Sequence, residues 1–261
     1  PYTTLFRSAR MLHALRTVLI ALVIACAQIS AAAAAEAVDL LLVLAADVSR
    51  SVDGPKFQLQ RDGYAAALTN PRVIEAITAG RNKRIAVCFV EWSGMMSQKV
   101  VIDWTIIGDA ESGRQFGDRL AEAPRSFAER TAIGAAIDFA AEQFARAPFE
   151  APRRTIDVSG DGTNNSGRDV RAARDQAAAQ DITINGLVIL SDRPLVWNPE
   201  HTNPPGGLAH YYRENVIGGA GAFVMEAANF ESFGNALINK LVAEIAQASM
   251  PRHAMAAPPR R

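Results

Sequence analysis

The chain has 261 residues, 27 Lys and Arg against 27 Asp and Glu, with 49% hydrophobic and 21% charged residues. This composition lies outside the low-hydrophobicity, high-charge regime of disordered chains, and its balanced charge excludes binding of nucleic acid driven by phosphate neutralisation. Two cysteines, Cys26 and Cys88, exclude a disulfide scaffold and a cysteine-rich zinc module.

Residues 1–8 (PYTTLFRS) resemble the in-frame translation of a sequencing-adapter oligonucleotide and are set aside as a scar. Residues 11–35 have the pattern of a cleaved export signal. Arg16 supplies a basic start, Val18 to Ala27 is an apolar run, and alanines 31–35 place small residues before Glu36. The apolar run is shorter than the roughly 20 residues a spanning helix needs. A periplasmic or secreted protein without a transmembrane anchor is therefore expected. Val23-Ile24-Ala25-Cys26 also resembles a bacterial lipobox, so a lipid tether at Cys26 is the alternative to cleavage after Ala35. Cys88 lies in an apolar run and reads as a buried small hydrophobe.

From residue 36 to 249 strands and helices alternate. Val38 to Ala46 suits a strand buried on both faces. After a polar loop over Asp47 to Pro55, a helical stretch places Phe57, Tyr64 and Leu68 on related turns and is interrupted at Asn70-Pro71. Arg84 to Trp92 and Lys99 to Ile107 read as strands, and Arg114 to Ala123 and Thr131 to Ala145 as helices. Strand Thr155 to Ser159 runs into Gly160-Asp161-Gly162. Helix Asp169 to Ala179, strands Ile182 to Leu190 and Ala222 to Ala227, and helix Phe233 to Ile245 follow. The proline-rich tail 250–261 is expected to be disordered. This order predicts an α/β fold, a doubly wound, mostly parallel central sheet with helices on both faces. Such sheets bind ligands at the carboxyl ends of their strands.

The loops at that end carry Asp47-Val48-Ser49-Arg50-Ser51, Thr131 at a helix start, and Asp161-Gly162. Two carboxylates and three hydroxyls, without His or Cys, form a hard oxygen donor set suited to Mg²⁺, Mn²⁺ or Ca²⁺ rather than Zn²⁺. Taken singly, these residues are ordinary turn and capping residues. Their order is what points to a site.

That order, D-x-S-x-S after a hydrophobic first strand, then a Thr at a helix start, then Asp-Gly after a later strand, resembles the von Willebrand factor A (integrin I-like) domain and its metal-ion-dependent adhesion site. The resemblance covers roughly Val38 to Ile245 and implies a Rossmann-like fold with a divalent cation, Mg²⁺ most readily, held by Asp47, Ser49, Ser51, Thr131 and Asp161. It further implies an open metal position that takes an acidic side chain from a protein partner, with affinity switched by movement of the last helix. The stretches Gln60 to Gly63, Ser159 to Gly167 and Tyr211 to Gly219 are similar, more narrowly, to a family of uncharacterised exported bacterial von Willebrand A-like proteins. Arg50 departs from the wider pattern, which has a small or neutral residue there; its guanidinium would repel the cation or help hold an anionic partner.

Other features carry less. Asp161 to Asp169 is not an EF-hand loop, because its twelfth position is Ala172. Gly218 to Gly221 lacks dinucleotide-binding glycine spacing. Asn164 and Asn165 read as turn and cap residues. Segment 191–221, with His201, His210, Trp197, Tyr211 and Tyr212, is either a partner-contacting lid or a surface excursion packed by its own aromatics. Trp92 would line a recognition rim or pack in the core. Three functions remain open: a cation-dependent binding module, a metal-assisted hydrolase, and a scaffold whose cation is only structural. Glu91 and Glu129 are the candidate bases of the second, with no partner the sequence can identify.

Overall fold

The structure, a computed structural model, describes residues 35–191 and 195–248. The expectations for residues 1–8, for Cys26 and the export signal up to residue 34, and for the tail 250–261 lie outside the described residues.

Among the described residues there are eight strands: β1 (Glu36–Ala37), β2 (Leu41–Asp47), β3 (Ile85–Trp92), β4 (Gln98–Ile107), β5 (Phe149–Glu150), β6 (Arg154–Gly160), β7 (Ile182–Ile189) and β8 (Val224–Ala227). Six of them form one sheet in the order β4-β3-β2-β6-β7-β8, while β1 and β5 pair separately. All neighbours in the large sheet are parallel except β3 and β4. Parallel pairing would need a crossover of a dozen or more residues. The link over 93–97 is too short for one and closes as a hairpin, with Ser93 N–H donating to Ser97 O at 2.9 Å.

The helices are α1 (Gly54–Thr69), α2 (Pro71–Thr78), α3 (Ala110–Glu122), α4 (Ile133–Phe144), α5 (Val170–Ala178), α6 (Pro199–Thr202), α7 (Leu208–Asn215) and α8 (Phe233–Ala248). The chain does not stay irregular after Asn70-Pro71. Asn70 Oδ1 accepts from Arg72 N–H at 3.0 Å and, with Pro71 in the first turn, starts α2. Asp109 and Ser112 make a capping box that starts α3 earlier than the expected Arg114.

The buried strands alternate between two cores. On one face Leu42, Leu44, Val87 and Phe89 pack with Tyr64, Phe116, Phe233 and Leu237. On the other, Val43, Cys88 and Val90 pack with Ile133, Ile137, Val170 and Tyr212. Each fully buried aliphatic or Phe side chain contributes about 1.5–3 kcal/mol of transfer free energy, so helices are held to both faces. Cys88 is buried as a free thiol, its pKa raised to about 12 by burial. Trp92 belongs to this second core and is fully buried, so it packs in the core and not at a rim. Among the described residues no helix is long and apolar enough to cross a membrane.

Because β2 and β6 are parallel neighbours, with Ala46 opposite Ser159, their carboxyl ends finish side by side. Asp47 and Asp161 therefore leave the sheet at one edge, where the segment before α4 and segment 195–216 also arrive.

Candidate metal site

The first loop is shaped by its own side chains. Asp47 Oδ1 accepts from Ser49 N–H at 2.7 Å, an Asx-type turn two residues long. Ser49 O accepts from Val52 N–H at 3.1 Å, and Asp53 then caps α1 by accepting from Lys56 N–H at 3.0 Å. The loop is tied to its neighbours by Val48 N–H donating to Trp92 O and Arg50 N–H donating to Glu129 O, both at 2.9 Å. Thr131 does not cap α4. The cap is Ala132, without a side-chain bond, which leaves the Thr131 hydroxyl free to face the first loop.

All five residues singled out from the sequence meet, and all are buried. Ser51 Oγ donates to Asp161 Oδ1 at 2.5 Å, Ser49 Oγ lies 3.1 Å from Ser51 Oγ, and Thr131 Oγ1 donates to Ser49 Oγ at 3.1 Å. One residue outside that set joins them: His201 of α6 places Nε2 at 3.2 Å from Thr131 Oγ1. Its imidazole is buried, and the ring lies where a Cβ on residue 162 would come within 2.3 Å of it, so the glycine leaves the ring its room. Gly160 likewise makes room, since its Cβ would stand 2.6 Å from the Tyr212 hydroxyl and 3.2 Å from Asp47 Oδ2.

The polarity of this chain of bonds follows from its ends. Ser51 donates to Asp161, so the hydroxyl hydrogens point from Thr131 to Ser49 to Ser51 to Asp161, and Thr131 accepts from His201. The same result comes independently from Asn165. Its Oδ1 accepts from Thr131 N–H at 2.9 Å, which turns Nδ2 to His201 Nδ1 at 3.3 Å. Nδ1 therefore accepts, and the ring proton is assigned to Nε2. Asn165 is thus more than a turn residue: its side chain joins Thr131 to His201.

Burial dominates the electrostatics. The Asp47 carboxyl is pushed up to about 8, by burial first and by the Asp161 charge second, against the Ser49 bonds and the Arg125 charge. Asp161 is raised by burial, opposed by the Ser51 hydroxyl, Lys56 and His201. Burial lowers His201, with Asp161 opposing. Asp47 Oδ2 is buried without a hydrogen-bond partner. A buried carboxylate oxygen left unpaired is costly, and a cation is one group that would compensate it. Adjacent ligands of an octahedral cation with bonds of about 2.1 Å stand about 3 Å apart, close to the 3.1 Å spacings between the three hydroxyls. The donor set therefore fits a divalent cation. Among the described residues no three of His, Cys, Asp and Glu gather as a metal cluster, because hydroxyls make up much of this set.

Ser51 and Thr131 of the cluster line a cleft of about 420 Å³, together with Arg50, Asn165, Trp197 and His201 among others. Arg50 Nε donates to Ala128 O at 3.4 Å, so its side chain lies along the wall of the cleft. The nearest cation to the carboxylates is Lys56, whose Nζ is 3.7 Å from Asp161 Oδ2 and donates to Ser51 O at 2.8 Å. Of the two candidate bases, Glu91 is fully buried, paired with Arg61, and accepts from Ser126 N–H at 2.9 Å. It ties elements together and is sealed from the cleft. Glu129 is exposed on the cleft wall.

Comparison with solved structures places this geometry in a known fold. The proximal thread matrix protein 1 of the mussel byssus superposes with a TM-score of 0.57 at 14% identity, over 81% of this chain and 49% of that one. A structure of the same mussel protein with a zinc-occupied MIDAS motif gives 0.55 at 17% identity, over 81% and 48%. The open conformation of the pilus adhesin SpaC of Lactobacillus rhamnosus GG gives 0.54 at 12% identity, over 82% and 30%. The present chain thus spans about half the length of the mussel protein and less of the adhesin. No curated protein matches in sequence. The family described as "Protein of unknown function (DUF1194)" matches over residues 37–249. The fold is the Rossmann-like fold of von Willebrand factor A domains, and the chain belongs to the DUF1194 family.

Proposed function

We propose that the protein is an exported, divalent-cation-dependent protein-binding module of adhesion or assembly. Asp47, Ser49, Ser51, Thr131 and Asp161 would hold the cation, directly or through water, beside the cleft. The bound cation would supply a strong positive charge to which a carboxylate of a partner adds as a further ligand. The protein's own residues do the rest. The Asx turn sets the two serines toward Asp161, Asn165 holds the backbone of Thr131, and Arg50 and Trp197 offer charge and apolar surface to whatever enters the cleft. The observation that carries the reading is the hydrogen-bonded row of oxygens that three loops bring together from Thr131 to Asp161, beside Asp47, whose Oδ2 is buried and unpartnered. The mussel structure with a zinc-occupied MIDAS motif supports the view that this fold accommodates divalent cations.

The test is capture. The immobilised chain should retain a protein from the exported fraction of its source cell with Mg²⁺ or Mn²⁺ present and release it to a chelator. Ser49→Ala should retain nothing while melting at a similar temperature. Retention unaffected by both chelator and Ser49→Ala would overturn the reading. Export is tested separately by the mature N-terminus: Glu36 for simple cleavage, or a lipid-modified Cys26.

A further inference from the structure

His201 lies outside the oxygen motif, and 70 residues of chain separate it from Thr131. Its position is nevertheless built. The ring is buried, it fills the space left by Gly162, and its backbone carbonyl accepts from Thr163 N–H at 2.9 Å. Nε2 is 3.2 Å from Thr131 Oγ1, close to the 3.1 Å that separates Thr131 Oγ1 from Ser49 Oγ. It stands beside Thr131 Oγ1, at the end of the row of hydroxyls.

Nδ1 has two neighbours. Asn165 Nδ2 at 3.3 Å is a donor, and Thr163 Oγ1 at 3.3 Å can donate or accept. The Nε2-protonated tautomer satisfies both neighbours, whereas the Nδ1-protonated one keeps Thr163 Oγ1 as acceptor and requires the Asn165 amide to give up its bond to the ring. With the proton on Nε2, the ring accepts at Nδ1 and donates to Thr131. With the proton on Nδ1, it donates to Thr163 Oγ1 and the Nε2 lone pair faces the site. The second arrangement is the usual one for a ligating histidine, whose other ring nitrogen donates to a fixed acceptor.

We propose that His201 is a ligand of the cation site, adding one imidazole nitrogen to the oxygens and biasing the site toward nitrogen-preferring cations such as Co²⁺ and Zn²⁺ over Mg²⁺. This rests on the cation reading above. Imidazole strengthens the binding of later first-row divalent ions, whereas Mg²⁺ prefers oxygen and water. On loading, the ring proton moves from Nε2 to Nδ1 with no change in the ring's charge.

Calorimetric titration of the chain with Co²⁺ and with Mg²⁺ tests this, in the wild type, His201→Gln and Asp47→Ala. The wild type should bind Co²⁺ at least about tenfold more tightly than Mg²⁺. His201→Gln should weaken Co²⁺ about tenfold or more while Mg²⁺ shifts less than about twofold. Asp47→Ala should lose both. If Asp47→Ala loses both ions but His201→Gln changes neither, or weakens them equally, the cation site stands and His201 is not its ligand. If the wild type binds neither ion, the site and the inference fall together. Ring ¹⁵N spectra give a readout that a merely structural role would not move: Nε2-protonated without metal, Nδ1-protonated with Zn²⁺. An Nε2-protonated ring in the Zn²⁺-loaded protein would overturn the proposal.

Discussion

Lys240 of α8 is fully buried, and its Nζ lies 2.7 Å from Asp157 Oδ1 of β6, also fully buried. Glu244, one turn on, pairs with the same ammonium and accepts from Asn185 Nδ2 of β7 at 2.7 Å. The last helix is thus fastened to two central strands by charge as well as by Phe233, Leu237 and Leu241. Removing one member of a buried ionic group strands the others and costs about 3–5 kcal/mol. Lys240→Met should destabilise the chain by that amount in urea titration. Adding Asp157→Asn and Glu244→Gln should recover most of the loss. A loss below about 1 kcal/mol in the single variant would mean the group does not hold the helix.

The same group sets a pH dependence. The Glu244 carboxyl is pushed up to about 7, mainly by burial, with Lys240 opposing, Asp157 adding and Asn185 opposing. Its folded value is above its unfolded value near 4.3. The folded state therefore binds the proton more tightly. Stability from this group is greatest below the unfolded value and declines as pH rises to about 7, by about 4 kcal/mol in all. Urea titrations between pH 4.5 and 7 should show that decline, and Glu244→Gln should flatten it. An unchanged slope in the variant would assign the decline to other groups.

Asp47 is held at a cost to stability. Its Oδ2 is buried without a partner, and burial with the Asp161 charge raises its pKa to about 8. Asp47→Asn removes that ionisable group, and with it the cost of keeping it protonated or burying its charge, at nearly constant volume. The metal-free variant should be more stable than the wild type by about 1 kcal/mol, yet gain nothing from added divalent cation. Equal stabilisation of both proteins by cation would place the ion elsewhere.

Gly162→Ala tests how the His201 ring is seated. The added methyl would meet the ring at 2.3 Å, so the ring must move or the loop must shift. Overpacking of this kind costs about 1–3 kcal/mol. The variant should also lose the ring's contact with Thr131, read as a changed His201 side-chain resonance. An unmoved resonance and unmoved melting temperature would show that the ring is not wedged there.

The strands were legible because burial on both faces leaves continuous apolar runs. Val38 to Ala46 and Arg84 to Trp92 foretell β2 and β3 to within a few residues at their first ends. The five oxygen donors were legible because they follow strand ends in a fixed order. His201 was not, since nothing near it in sequence marks it as a neighbour of Thr131. Its place depends on segment 195–216 folding back as α6 and α7, with Tyr212 buried in the core beneath the site. The buried charges were hidden for a similar reason. Asp157 sits in a strand of apolar neighbours, and its partner Lys240 lies on a helix whose pattern is otherwise amphipathic. Glu91 looked available as a base only because its partner Arg61 lies 30 residues earlier on another element.

Asp47, Ser49, Ser51, Thr131 and Asp161 are proposed to form one divalent-cation site. Calorimetric titration of the wild type with Mg²⁺, Mn²⁺ and Ca²⁺, beside Asp47→Ala and Ser49→Ala, tests it most directly. The wild type should bind at least one of these ions at a single site, and neither variant should bind any. Binding that survives both substitutions, or no binding of any of the three ions by the wild type, would contradict it.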